Sequence, residues 1–195
     1  MLIGAWNIRG ICSPLKQRAV LNWLNKHNLD VVCILETKLF NREALGKCST
    51  FFENKGYKWH HDDYMHGRLF LIWKSCISVE ILDSFDQGVL CHLDDGNAQL
   101  SIGFIYGRND QLLRRNLWGR LADWSDWCKP GCLALLGDFN EILHQGDRSS
   151  NNCIPNSSFE FKDCLANAEL QELNSVGPHF TWTNKSLQGN YIACR

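Results

Sequence analysis

A carboxylate and an amide two residues apart, Asp138 and Asn140, follow the apolar run Leu133-Ala134-Leu135-Leu136 and the glycine Gly137. A carboxylate can accept a proton and an amide can donate hydrogen bonds, so such a pair can align a water molecule against a phosphate. In extended backbone, residues i and i+2 project to the same side, and the spacing predicts that both face one pocket. An Asx turn closing a strand accounts for the same two residues, because Asp and Asn readily bond their own backbone. Asn7, Glu36 and Tyr106 share this oxygen-rich character, each at the end of an apolar run. Asn7 and Glu36 offer the hard oxygens that suit Mg²⁺, which typically takes one or two carboxylates and keeps several waters. A turn asparagine, a capping glutamate and an aromatic lid on the core are the plainer readings of these three.

Strands must carry these groups. Leu2–Ile8 reads as a first strand, and Ser13-Pro14 opens a helix to about His27, with Leu15, Ala19, Val20, Trp23, Leu24 and His27 at helical spacing. Val31–Glu36 is a β-branched run of buried-strand type, completing a strand–helix–strand unit. Asn7 and Glu36 then lie near the carboxyl ends of their strands, where ligands of α/β sheets gather. A helix over about Arg42–Asn54, capped by Asn41, precedes strands at Tyr57–His60, Leu69–Lys74, Ile77–Leu82, Val89–Leu93 and Ala98–Tyr106. Asp94-Asp95-Gly96-Asn97 is the hairpin turn between the last two. A helix from Asp110 to Cys128, with Leu113, Leu117, Leu121, Trp124 and Cys128 on one face, leads through Pro130-Gly131 into the strand that ends at Asp138. The polar segment Gln145–Ser157 reads as a loop and Ser158–Leu170 as a helix. Strands at Pro178–Asn184 and Tyr191–Arg195 flank a loop at Lys185–Asn190.

The chain has 195 residues, of which 45% are hydrophobic, enough for one globular domain with a full core. A formal net charge of −1 gives no overall basic field. Nucleic acid would have to be met locally, with Arg9, Arg108, Arg114 and Arg115 as phosphate contacts; a solvated helix face is the alternative reading of these four. The ten cysteines are scattered, mostly in apolar runs such as those around Cys33, Cys76 and Cys91, without paired C-x-x-C spacing for zinc. They read as buried thiols of a reducing compartment. With no basic n-region at Met1–Ile8 and no run of membrane-spanning length, the expectation is an intracellular protein, nuclear if functional, that does not engage a membrane.

Four segments together carry a resemblance: Trp6-Asn7-Ile8-Arg9-Gly10, Leu35-Glu36-Thr37-Lys38, Ile105-Tyr106-Gly107 and Gly137-Asp138-Phe139-Asn140-Glu141. Their order resembles the endonuclease/exonuclease/phosphatase superfamily, and in wording the apurinic-type endonuclease domains of plant LINE (non-LTR) retrotransposons. Phe180-Thr181-Trp182-Thr183-Asn184 looks like that group's late strand signature, so the likeness spans residues 1–195. It implies a DNase I-like four-layer α/β sandwich, two sheets packed face to face with helices outside. It also implies Mg²⁺-dependent (alternatively Mn²⁺-dependent) phosphodiester hydrolysis on DNA. Carried over by residue, Glu36 would bind the metal with Asn7 beside it, and Tyr106 would contact the phosphate. Asp138 would orient or deprotonate the attacking water, and Asn140 would steady the developing charge.

The sequence departs from that pattern in places. Relatives continue through an Arg-Leu-Asp and a later Ser-Asp-His; Tyr191-Ile192-Ala193-Cys194-Arg195 looks like the approach to the first, and no Ser-Asp-His occurs. The expectation is a domain incomplete at its C-terminus, lacking its last strands. Losing one preorganised electrostatic group costs on the order of 10²–10³ in rate, so the chain is expected to be catalytically impaired and prone to aggregate. Arg68 in His66-Gly67-Arg68-Leu69 stands where relatives carry a second glycine, which reads as drift where a tight backbone was wanted. Asn174 likewise stands where the group tends to have glycine. Rival readings are another phosphoesterase branch, acting on inositol phosphates, sphingolipids or mRNA tails, and a non-catalytic nucleic-acid-binding remnant.

Overall fold

The computed structural model describes residues 1–61, 67–149, 156–184 and 192–195. They form two compact units, the first made of 1–107 with 128–138 and the second of 108–127 with 139–195.

The first unit opens with β1 (Ile3–Asn7), α1 (Pro14–Lys26) and β2 (Val31–Leu35). Ser13 Oγ accepts the Lys16 N–H at 3.4 Å and Pro14 fills the first helical position, so the N-terminal signal works as expected. The buried face of α1 is Gln17, Val20 and Leu24. Leu15, expected on that face, is 77% exposed because it lies in the first turn, ahead of the buried row. α2 (Arg42–Glu53) is capped by Asn41, whose Oδ1 accepts the Ala44 N–H at 2.8 Å. β3 (Tyr57–His60) and β4 (Leu69–Lys74) complete a sheet of order β1-β2-β4-β3, in which β1 and β2 run parallel. β5 (Ser78–Phe85), β6 (Gly88–Asp94), β7 (Gln99–Tyr106) and β8 (Leu133–Asp138) make a second sheet in that order, with β7 and β8 parallel. The β6–β7 hairpin is closed as its sequence indicates: Asp94 Oδ1 accepts the Gly96 N–H at 2.7 Å and Asp95 Oδ1 the Asn97 N–H at 2.9 Å.

Strand alternation assembles the core. Val31, Cys33 and Leu35 of β2 and Leu69, Leu71 and Trp73 of β4 face Val89, Cys91 and Leu93 of β6 and Ile102, Phe104 and Tyr106 of β7. The intervening Val32, Ile34, Phe70 and Ile72 face the other way, onto Val20, Leu24, Cys48 and Phe52 of α1 and α2. The two sheets thus pack face to face, and the first also carries helices on its outer surface.

The second unit contains α3 (Gln111–Trp127), a 3₁₀ turn at Gln145–Asp147, α4 (Asn156–Asn167) and the antiparallel pair β9 (Trp182–Thr183) and β10 (Ala193–Cys194). α3 buries Leu117, Trp118, Leu121 and Trp124, whereas Leu113, expected on that face, is half exposed. Trp118 stacks on Phe161 of α4 with ring centroids 4.7 Å apart, and Ser125 Oγ donates to the Ala168 carbonyl at 2.7 Å. The late strand is shorter than the expected Pro178–Asn184: Pro178 has no N–H to give a ladder, and Gly177 at φ +109° turns the chain just before it. The loop expected at Lys185–Asn190, and Tyr191 beside it, lie outside the described residues. Among the described residues no helix is long and apolar enough to cross a membrane.

Candidate active site

The inward-facing rows of the first unit end in polar residues. Ile3 and Ala5 pack against the inter-sheet core and the next member of their row is Asn7; Ala134 and Leu136 do the same and the next is Asp138. Ile102 and Phe104 lead in this way to Tyr106. Each row ends at the carboxyl end of its strand, and the backbone register sets Tyr106 opposite Asp138. Asn7 lies opposite Leu35, the residue before Glu36.

Asn7 and Asp138 meet across the sheets. Asn7 Nδ2 donates to Asp138 Oδ2 at 3.1 Å. The amide can take only this orientation, because turning it over would press its oxygen against a carboxylate. Asn7 Oδ1 is consequently aimed away from Asp138, buried and without a hydrogen-bond partner. The approach of β8 to β7 depends on Gly137, at φ +148°, where an added Cβ would stand 2.0 Å from the Ile105 carbonyl oxygen.

Glu36 is placed by its backbone. Its φ is +55°, so it departs from the pleat of β2. Its carbonyl accepts the Gly10 N–H at 2.6 Å and that of the next residue, Thr37, accepts the Ile11 N–H at 2.9 Å. The Thr37 hydroxyl, fully buried, donates to the Gly67 carbonyl at 2.6 Å, which also accepts the Lys38 N–H at 2.7 Å. Lys38 Nζ stands 3.9 Å from the Glu36 carboxylate, in a pair too exposed to hold it firmly. Burial pushes the Tyr106 phenol above its ordinary value; the negative charge of Glu36 adds to this, the Arg68 guanidinium opposes it, and Asp138 and a hydrogen bond to Glu36 add again. Tyr106 therefore stays a protonated donor. Its ring is part of the inter-sheet core, as the lid reading has it, and its phenol lies within the electrostatic reach of Glu36.

Three expectations are corrected here. Asn140 has φ +51°, and β8 ends at Asp138, so the alternation of an extended strand does not govern its direction. Asn140 belongs to the second unit. Arg114 is not a surface cation: its side chain is 5% exposed, and Nη2 bonds Glu141 Oε2 at 2.6 Å. The other nitrogen, Nη1, donates to the carbonyls of Arg108 and Asn109. Arg115 is exposed, but its guanidinium is bonded through Nε and Nη2 to Glu160. Arg9 is exposed in the loop after Asn7, at φ +54°.

The third correction concerns Arg68, read from sequence as drift. The position that demands glycine is Gly67, where a Cβ would lie 3.0 Å from the Leu39 nitrogen at φ +67°. The next residue accepts a long side chain, and Arg68 uses it. Nε donates to the Asp86 carbonyl at 2.7 Å, and Nη2 to the carbonyls of Tyr106 at 2.7 Å and Gly107 at 3.1 Å. Its guanidinium carbon lies 4.1 Å from the centroid of the Tyr106 ring. A cation at the head of an apolar strand was the only sign of it in the sequence.

Among the described residues no three His, Cys, Asp or Glu side chains converge as a metal cage would require. The hard oxygens the first unit offers there are the Glu36 carboxylate and the buried, unpartnered Asn7 Oδ1, donor types that suit a cation retaining most of its water.

Carboxylate, amide and phenol thus gather at the strand ends of two face-packed sheets. The chain belongs to the endonuclease/exonuclease/phosphatase family, whose sequence model matches residues 4–191. Among solved structures it is similar to the endonuclease domain of TRAS1, a telomere-specific non-LTR retrotransposon. The TM-score is 0.72 at 10% identity, over 97% of this chain and 83% of that one. An AP endonuclease from Archaeoglobus fulgidus gives 0.62 at 18% identity, over 85% and 70% of the two chains. The AP endonuclease LMAP from Leishmania major gives 0.62 at 17%, over 84% and 65%. At these identities the likeness establishes the fold, an α/β sandwich of the DNase I-like kind. No curated protein matches in sequence.

Proposed function

We propose that this chain is a Mg²⁺-dependent phosphodiesterase that nicks DNA, as a retroelement endonuclease domain acting in the nucleus. The reading rests above all on the Asn7–Asp138 bond, which fixes a carboxylate at the strand ends and leaves Asn7 Oδ1 buried and unpartnered. Glu36 and Asn7 Oδ1 would hold the ion, which supplies Lewis-acid polarisation of a phosphoryl oxygen when bound. Asp138, steadied by the Asn7 amide, orients the attacking water and accepts its proton. Tyr106, kept protonated, donates from its hydroxyl to a phosphate oxygen. Asn140→Ala tests the charge-steadying role implied for that residue by the sequence resemblance. Arg9 is the cation of the first unit offered to a flanking phosphate; Arg108 and Arg115 are secondary candidates.

The test is conversion of supercoiled plasmid to open circles with Mg²⁺, with and without EDTA. Because the sequence contains no Ser-Asp-His, the expected nicking by the 195-residue chain is slow, on the order of 10²–10³ below that of a site with its full electrostatic set. It should be abolished by EDTA, by Asp138→Asn and by Asn7→Ala. Nicking indifferent to EDTA and to both substitutions refutes the reading. Release of phosphate from an inositol phosphate without DNA cutting would replace it with another phosphoesterase branch. Salt-dependent DNA binding without cutting would leave a binding remnant.

A further inference from the structure

We propose that Arg68 is a positioning residue for Tyr106, a guanidinium clamp that fixes the ring and its backbone so that the hydroxyl alone remains to act. The proposal rests on the reading that Tyr106 contacts the phosphate. Arg68 lies just before β4, and its side chain gathers groups that the chain delivers from separate places. These are the Asp86 carbonyl in the β5–β6 turn and the Tyr106 and Gly107 carbonyls at the end of β7. The same guanidinium covers the Tyr106 ring at 4.1 Å. A tyrosine has two side-chain torsions, and the inter-sheet core restrains this ring only where it packs against apolar neighbours. The cation over the ring removes the remaining freedom.

Arginine suits the task for a geometric reason. Its donors lie in one rigid plane, so the bonds from Nε to Asp86 and from Nη2 to Tyr106 and Gly107 also fix the plane over the ring. Lysine would bring the charge as a point but could not hold these carbonyls from one rigid plane. Glycine would bring neither.

The experiment is ¹⁹F NMR of the full chain labelled with 3-fluorotyrosine, with the Tyr106 line assigned by Tyr106→Phe. Arg68→Gln keeps much of the side-chain volume and removes the charge and the fork. The expected result is a shifted and broadened Tyr106 line with the Tyr57 line in place, and an intermediate Tyr106 line in Arg68→Lys. A role confined to stability would lower the unfolding midpoint and leave the Tyr106 line of the folded protein where it was, which overturns the proposal. Should Arg68→Gln fail to fold, Arg68→Lys decides: a Tyr106 line identical to the parent's refutes the clamp. In the nicking assay, Arg68→Gln should lower kcat by roughly ten- to a hundredfold, as misplacement of a reacting group does, with less change in KM. Added to Tyr106→Phe it should cost nothing further, whereas fully additive losses also overturn the proposal. If the parent does not nick, the functional reading above fails, while the NMR arm still decides Arg68.

Discussion

The buried ion pair of the second unit gives the most quantitative test of the structure. Arg114 and Glu141 are each 5% exposed and meet at 2.6 Å, and each is further committed. Arg114 donates to the carbonyls of Arg108 at 2.7 Å and Asn109 at 3.1 Å, ahead of α3. Glu141 Oε1 accepts from Ser158 Oγ at 3.0 Å and from the Ile142 N–H at 3.1 Å. Arg114→Met leaves a carboxylate with no counter-charge in a place water does not reach, which costs about 3–5 kcal/mol. For a chain of this size each kcal/mol moves the melting midpoint by about 2–4 °C, so the loss should be roughly 6–20 °C. Glu141→Leu strands the guanidinium and should cost a similar amount. The double variant Arg114→Met/Glu141→Leu removes both charges and should recover most of either loss, since an apolar replacement of a whole buried pair is often close to neutral. Tryptophan fluorescence during urea or thermal unfolding reads the outcome through Trp118 and Trp124 of α3, both buried. Losses below about 1 kcal/mol for both single variants, the range of an exposed pair, would refute the burial of this contact.

Further outcomes follow from the same geometry. Gly137→Ala should destabilise by about 1–3 kcal/mol or more and silence any nicking, because the new Cβ meets the Ile105 carbonyl and pushes β8, with Asp138, off β7; parent-like stability and activity would contradict the strand spacing. Burial alone would raise the Asp30 carboxyl, but the Lys74 ammonium at 2.8 Å and the Leu2 N–H at 2.7 Å outweigh it and hold the group below its ordinary value. A lowered folded value stabilises above the unfolded one, so Asp30→Asn should cost about 1 kcal/mol at pH 7 and the gap should narrow as pH falls below about 4 toward the lowered folded value; urea midpoints that keep a constant gap from pH 7 down to about 2 would exclude this. Burial pushes the Cys48 and Cys91 thiols up to about 12 and the Cys33 thiol upward as well. In native protein a disulfide reagent should therefore label Cys12, Cys76 and Cys132, all exposed, and reach Cys33, Cys48 and Cys91 only after unfolding, which peptide mass mapping can check.

The strand-end positions of Asn7, Glu36 and Tyr106 were legible because each closes an apolar run whose length matches a strand, and the carboxyl end of a strand is where a side chain escapes the core. Cys76 was misread because it adjoins apolar residues, although it sits exposed in the turn between β4 and β5. Asn140 was misread because extended geometry was carried past the end of the strand, where a left-handed residue breaks the alternation. Arg114 and Arg115 look identical in sequence; what separates them is the rotation of α3, which turns one to Glu141 in the interior and the other to Glu160 at the surface. Arg68 was illegible for a similar reason. Its partners are carbonyl oxygens 18 to 39 residues away, and every residue type carries a carbonyl oxygen, so nothing in the sequence names them.

The bond between Asn7 and Asp138 spans 131 residues of chain, and that distance is also a delay. On a ribosome adding about 5–20 residues per second, Asn7 emerges roughly 7 to 26 s before its partner. In that interval all four strands of the first sheet and the β5–β6–β7 meander of the second can already have paired, since both end before residue 107. The first unit of a nascent chain would thus be largely built before β8, its last strand, brings Asp138 to Asn7.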